Sequence, residues 1–206
     1  QDGDFFQPII RIHGPARALL TAERTALNFV QRLSGIATLT AKFVQQVSGT
    51  NTKILDTRKT VPGWRVLEKY AVACGGGINH RFGLYDQVMI KDNHLVAVGG
   101  NIKKAVKCAR ENYPKLKIEV EADTVEQAKT AAEAGADIIL LDNMSCEELS
   151  QSIELISGRS KTEASGGITM DTVREIAETG VDYISIGALT HSAPAVDIGF
   201  DFDQLS

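Results

Sequence analysis

The stretch IEVEADTVEQAKTAAEAGADIILLDN, residues 118–143, reads as strand, helix, strand. Its opening puts Glu119 and Glu121 on one strand face by their two-residue spacing. A helical pattern covers 124–134, and Gly135 falls where that helix should end. The apolar run Ile138-Ile139-Leu140-Leu141 then stops on Asp142-Asn143. Strands alternating with helices of this length make βα units and a parallel sheet.

Outward from this unit the punctuation repeats. Ile54-Leu55 runs into Asp56-Thr57-Arg58-Lys59, and Val88-Met89-Ile90 ends on Lys91. Lys161-Thr162-Glu163-Ala164 opens into Ser165-Gly166-Gly167, and Tyr183-Ile184-Ser185-Ile186 into Gly187-Ala188. Further helices are predicted over 101–112, 145–156 and 170–179, with Gly158 and Gly180 as stops, and Pro62-Gly63 opens one through Trp64, Leu67 and Tyr70. A long helical pattern runs from Thr21, a candidate cap, to about Val47, with Gly35 as a kink or break. Ile9-Ile10-Arg11-Ile12 reads as one more strand. Polar groups gathered at successive strand ends are how an α/β barrel builds an active site. The pattern holds about six βα units, fewer than an eightfold barrel. The fold class is therefore α/β, an open or incomplete TIM-like barrel.

Composition narrows the function. The chain has 206 residues and 43% hydrophobic content, enough for one barrel-sized core. No apolar run approaches the ~20 residues that span a bilayer. With 22 basic and 26 acidic residues there is no global basic character pointing to nucleic acid. Cys74, Cys108 and Cys146 are too few and too scattered for a disulfide framework or a zinc site, and suit a reducing cytosol. No charged-then-apolar leader opens the chain, so a cytoplasmic location is expected.

The cations matter locally. Lys and Arg are costly to bury unless paired, so cations clustered at strand ends ask for an anion. Lys103, Lys104, Lys107, Arg110, Lys115 and Lys117 read as solvated charges worth under about 1 kcal/mol each. Arg58, Lys59, His80, Arg81 and Lys91 share corresponding strand ends or the loops that follow. Of the paired Glu119 and Glu121, either could be a salt-bridge partner. Asp56 and Asp92 read as supports, His94 as a hydrogen bonder or a functional group, His13 as incidental, and Trp64 and Tyr70 as packing residues.

Several long motifs in order carry a resemblance. Glu-Arg-Thr-Ala-Leu-Asn-Phe at 23–29, Leu-Ser-Gly-Ile-Ala-Thr at 33–38, Asp-Thr-Arg-Lys-Thr at 56–60, Gly-Gly-Gly-Ile-Asn-His-Arg at 75–81, Ile-Lys-Asp-Asn-His at 90–94 and Gly-Ala-Leu-Thr-His-Ser at 187–192 together resemble quinolinate phosphoribosyltransferase. The likeness runs from about Arg11 to Asp201. That family carries a sizeable N-terminal α/β domain, of which Gln1 to Gly14 resembles the last strand. The resemblance implies the end of the N-terminal domain and a connecting helix over 1–36, the barrel over 37–192, and a segment 193–206 returning to the N-terminal domain.

The resemblance also implies a reaction. Quinolinate and phosphoribosyl pyrophosphate give nicotinate mononucleotide, pyrophosphate and carbon dioxide, with Mg²⁺. Arg58, His80, Arg81 and Lys91 match positions that grip the diacid, and Arg's planar fork suits a carboxylate. Arg24 matches a position that reaches the site from the partner subunit, which implies a homodimer. Thr57 and Lys59 fall on the substrate side, with Lys59 on the leaving pyrophosphate. Glu121 and Asp142 match the pair for ribose hydroxyls and the metal. Ser165, Gly166, Gly167, Ile186, Gly187, Ala188 and His191 would cradle the 5′-phosphate. A phosphoribosyltransferase for another aromatic acid, or a silent ligand-binding barrel fragment, stays open at this point.

Overall fold

The computed structural model describes residues 7–202. Its elements are α1 (Ala16–Gln46), β1 (Lys53–Leu55), α2 (Arg65–Cys74), β2 (Val88–Ile90), α3 (Asp92–Ala97), α4 (Ile102–Asn112), β3 (Ile118–Ala122), α5 (Val125–Glu133), β4 (Ile138–Asp142), α6 (Cys146–Ile156), β5 (Lys161–Ser165), α7 (Val173–Glu178), β6 (Tyr183–Ser185) and α8 (Ala188–His191). All six strands are parallel and pair in the order β1-β6-β5-β4-β3-β2. Beyond β1 a single bridge from Leu55 to Ile78 adds one more step around the curve. The result is the expected open TIM-like barrel.

Strand parity divides the sheet into two chemistries. Val120, Ala122, Ile139, Leu141, Ala164 and Ile184 are buried on the face that the helices cover. Fully burying a side chain such as Ile139 or Leu141 contributes about 1.5–3 kcal/mol. On α5 the buried residues are Ala128, Ala131 and Ala132, small enough to let the helix lie close on β3 and β4. The alternate positions face the lumen, where Glu121, Leu140 and Glu163 stand in register, as do Asp142 and Ser165. Barrel lumens are usually filled by branched apolar side chains. Here acids stand among them.

Four expectations are corrected. Ile9–Ile12 form no strand; these residues lie exposed in an irregular lead-in, and residues 1–6 of the expected Gln1–Gly14 strand fall outside the described residues. Helix α1 starts at Ala16 after Pro15, and Thr21 bonds back to the Arg17 carbonyl at 2.7 Å instead of capping. Gly35 neither kinks nor breaks α1. It is there for close approach, because a Cβ would lie 1.9 Å from the Pro194 carbonyl oxygen. Tyr70 is 67% exposed and does not pack, whereas Trp64 stacks on Phe29 with ring centroids 4.6 Å apart. Ile36, Thr40, Phe43 and Val47 form the stripe by which the end of α1 joins the core. The segment after α8 follows α1, with Val196 N donating to Gln31 O at 3.0 Å and Gln31 Nε2 to Ile198 O at 2.9 Å.

Candidate active site

Two groups of side chains meet at the C-terminal ends of the strands. The first surrounds Arg58, His80 and Arg81. Asp56, buried at the end of β1, accepts from Lys69 Nζ at 2.7 and 2.9 Å and from His80 N at 2.7 Å. Lys69 Nζ also donates to the His80 carbonyl at 2.9 Å. This buried pair ties the backbone of His80 to β1, and burial raises the Asp56 carboxyl against the pull of Lys69. Arg65 joins the same two loops by donating to Arg58 O at 3.2 Å, Phe82 O at 3.0 Å and Thr60 Oγ1 at 3.0 Å.

Arg81 Nη1 donates to Gln87 O at 3.2 Å, and Nη2 reaches Met89 Sδ at 3.4 Å. Its Nε and that of Arg58 are buried without a hydrogen-bond partner among the described residues. Burial, then the charge of Arg58, lowers the Arg81 guanidinium from its usual value. Like charges held this way favour an anion between them.

His80 is more enclosed. Its Nε2 lies 3.3 Å from Glu119 and 3.4 Å from Glu163, ion-pair distances outside hydrogen-bond alignment. Nδ1 accepts from Arg81 N at 2.7 Å. Burial alone would lower the ring, but the contacts and charges of Glu119 and Glu163 push it up to about 10. The Nδ1 contact favours the neutral ring and opposes that rise. With Nδ1 accepting, it is the Nε2 side of the ring that faces the two carboxyl groups.

The second group lies around Glu121, Asp142 and a glycine-lined cavity. Glu121, next along the lumen face of β3, pairs with Lys91 at the end of β2. Asp142 accepts from Ser165 Oγ at 2.6 Å and Asn143 Nδ2 at 2.7 Å. Beyond them a cavity of about 310 Å³ is lined by Thr57, Lys59, Ser165, Gly166, Gly167, Ile186, Gly187, Ala188 and His191. Gly187 is closely approached: a Cβ there would sit 3.1 Å from both Lys59 Cδ and His191 Nε2. Gly166 takes φ +94°, and a Cβ would fall 2.1 Å from Asn143 Oδ1. Such a glycine-lined concavity admits a phosphate to backbone distance.

The structure thus brings together every sequence-derived site residue except Arg24. Arg24 stands exposed on the first half of α1, without a hydrogen bond or ion pair among the described residues. His94 serves locally, its Nδ1 accepting from Lys91 N at 3.0 Å at the start of α3. Glu163, Lys69 and Arg65 were not singled out from the sequence. Glu163 had a signal, since it lies two residues before Ser165 on the same strand face. Lys69 had none, because a lysine in a helix reads as solvated.

Residues 36–201 match the family model of the quinolinate phosphoribosyl transferase C-terminal domain, and residues 1–34 that of its N-terminal domain. The chain belongs to the quinolinate phosphoribosyltransferase family. Among its relatives is a probable nicotinate-nucleotide pyrophosphorylase [carboxylating] of Bacillus subtilis, 49% identical over 98% of this chain and 71% of the relative. The enzyme of that name from Mycobacterium leprae is 47% identical over 95% of this chain and 69% of its own. Among solved structures, NadC from Streptococcus pyogenes superposes with a TM-score of 0.86 at 51% identity, covering 89% of this chain and 65% of that one. A NadC deletion mutant gives 0.87 at 47% identity, covering 96% and 73%. The quinolinate phosphoribosyltransferase barrel and the two charge groups therefore lie in one chain.

Proposed function

We propose that this chain carries the site that converts quinolinate and phosphoribosyl pyrophosphate into nicotinate mononucleotide, pyrophosphate and carbon dioxide, a pentosyl transfer in NAD biosynthesis. The observation that carries the reading is the pairing of Arg58, His80 and Arg81 with a glycine-lined cavity at the same barrel end. A pyridine diacid needs the first, and a 5′-phosphate the second.

In the transfer the pyridine nitrogen bonds to C1′ as the C1′–pyrophosphate bond breaks. Positive charge develops on the ribose, where Glu121 and Asp142 stabilise it, and negative charge on the leaving group, where Lys59 does. The carboxylate beside the ring nitrogen then leaves as carbon dioxide. Its electron pair stays on carbon next to the cationic nitrogen until a proton arrives from Lys91 or water. The residues fit Mg²⁺: Glu121 and Asp142 supply hard oxygens, and Glu121 keeps one oxygen outside its Lys91 bond. These two residues would hold the ion, which would supply charge neutralisation for the leaving pyrophosphate. The exposed position of Arg24 supports a homodimer in which it enters the partner's pocket.

The test is turnover of the protein with both substrates and Mg²⁺. Nicotinate mononucleotide and carbon dioxide should form in equal amounts, stop with EDTA, and not form from nicotinate. Use of nicotinate in place of quinolinate would overturn the diacid reading.

A further inference from the structure

We propose that Glu119 and Glu163 are positioning residues of the diacid pocket, holding His80 by Nε2 while Glu119, through Gln87, sets the seat of the Arg81 guanidinium. The inference rests on the quinolinate reading and concerns how that pocket is kept in shape.

Three observations carry it. Both side chains are buried in the lumen, at 0% and 1% exposure, where apolar residues are the stable filling. Replacing buried charges by packed apolar groups is often neutral or stabilising, so two carboxylates here point to a task other than stability. Next, the contacts close a ring. Arg81 Nη1 donates to Gln87 O, Gln87 Nε2 donates to Glu119 Oε2 at 2.5 Å, Glu119 lies against His80 Nε2, and Arg81 N returns to His80 Nδ1. Glu163 closes on the same Nε2 from β5. Finally, Glu119 Oε1 and Glu163 Oε1 have no hydrogen-bond partner among the described residues, so this pair is not satisfied as a purely structural network would be. The ligand atoms of His80, Glu119 and Glu163 also lie within 4.8 Å of one another, close enough for a metal ion. Arg81 bears on Glu119 electrostatically, and its charge disfavours a dication there.

The test compares the wild-type chain with Glu119→Gln and Glu163→Gln, which keep shape and remove charge. Calorimetry should show quinolinate affinity reduced at least about tenfold in each, with phosphoribosyl pyrophosphate affinity within about threefold, because only the diacid pocket loses its geometry. With four histidines in the chain, ¹⁵N spectra should show the His80 ring resonances shift while those of His13, His94 and His191 stay. Unchanged or tighter quinolinate binding, the result of simply removing negative charge near an anion, overturns the proposal. So does stoichiometric zinc in the purified wild type that is lost in Glu163→Gln. Should either variant fail to fold, Gln87→Leu breaks the same ring from a half-buried position and should weaken quinolinate in the same direction; no change would count against the proposal. A wild type that binds no quinolinate would overturn the functional reading and this inference together, whereas wild-type binding with indifferent variants overturns this inference alone.

Discussion

Arg81 makes few bonds for a guanidinium with five donors. One goes to a carbonyl, one to a thioether, and Nε has no partner among the described residues. A half-buried cation left this free has capacity for a substrate carboxylate. Arg81→Ala should therefore weaken quinolinate by about 2–5 kcal/mol, the usual loss when one partner of a buried charge pair is removed. Calorimetry on the folded variant checks this, and unchanged affinity would remove Arg81 from the pocket. Asp142 is placed differently, with both oxygens bonded to neutral donors beside the glycine-lined cavity. Asp142→Asn and Glu121→Gln should lower kcat strongly, yet leave quinolinate affinity within a few-fold, since their charge acts where the transition state develops its own. Normal turnover of either at saturating substrates and Mg²⁺ would refute its role. At this scale the sequence showed the cations well, because Arg58, Lys59 and Lys91 stand just past the ends of apolar runs and Arg81 just past a glycine-rich turn. It was silent on Lys69, whose burial depends on Asp56 arriving from another element.

Elements are fitted by contacts that local pattern does not reveal. Gly35 looked like a break in α1, yet the helix runs through it because the 193–196 segment presses against that spot. With a Cβ only 1.9 Å from a backbone carbonyl oxygen, Gly35→Ala should destabilise by about 1–3 kcal/mol through overpacking. Denaturant unfolding gives the number, and a neutral result would mean the segment moves aside freely. The Asp56–Lys69 pair joins β1, α2 and the His80 loop, both side chains being almost fully enclosed. Lys69→Met leaves Asp56 buried and unpaired, an expected loss of about 3–5 kcal/mol. A thermal melt would check it. The parity of β3 was legible from its two glutamates. That Glu163 joins Glu119 on one histidine was not, because it follows from the register of β3, β4 and β5.

At the scale of the whole molecule Arg24 stands exposed on α1, apart from the cations gathered at the strand ends. If it serves a neighbouring pocket, Arg24→Ala and Lys91→Ala proteins should each be nearly inactive. Mixed and re-formed dimers should regain activity, since one pocket per mixed dimer then holds both native residues. With random exchange about half the dimers are mixed, so recovery should approach roughly one quarter of wild-type turnover if the pockets act independently. Tagged pull-down verifies exchange, and no recovery in verified mixed dimers would exclude Arg24 from a shared site.

What the sequence by itself determined was periodic: apolar runs spaced by helices, each ending on a polar group, with glycine where helices stop. Periodicity is local and survives without coordinates. The partners of each charge were decided only by the tertiary structure. Glu121 faces Lys91 because β2 lies beside β3, and Glu119 meets His80 because a loop tied to β1 by Lys69 swings that ring over the lumen. Charge pairing depends on distance in space, and chain folding alone sets it.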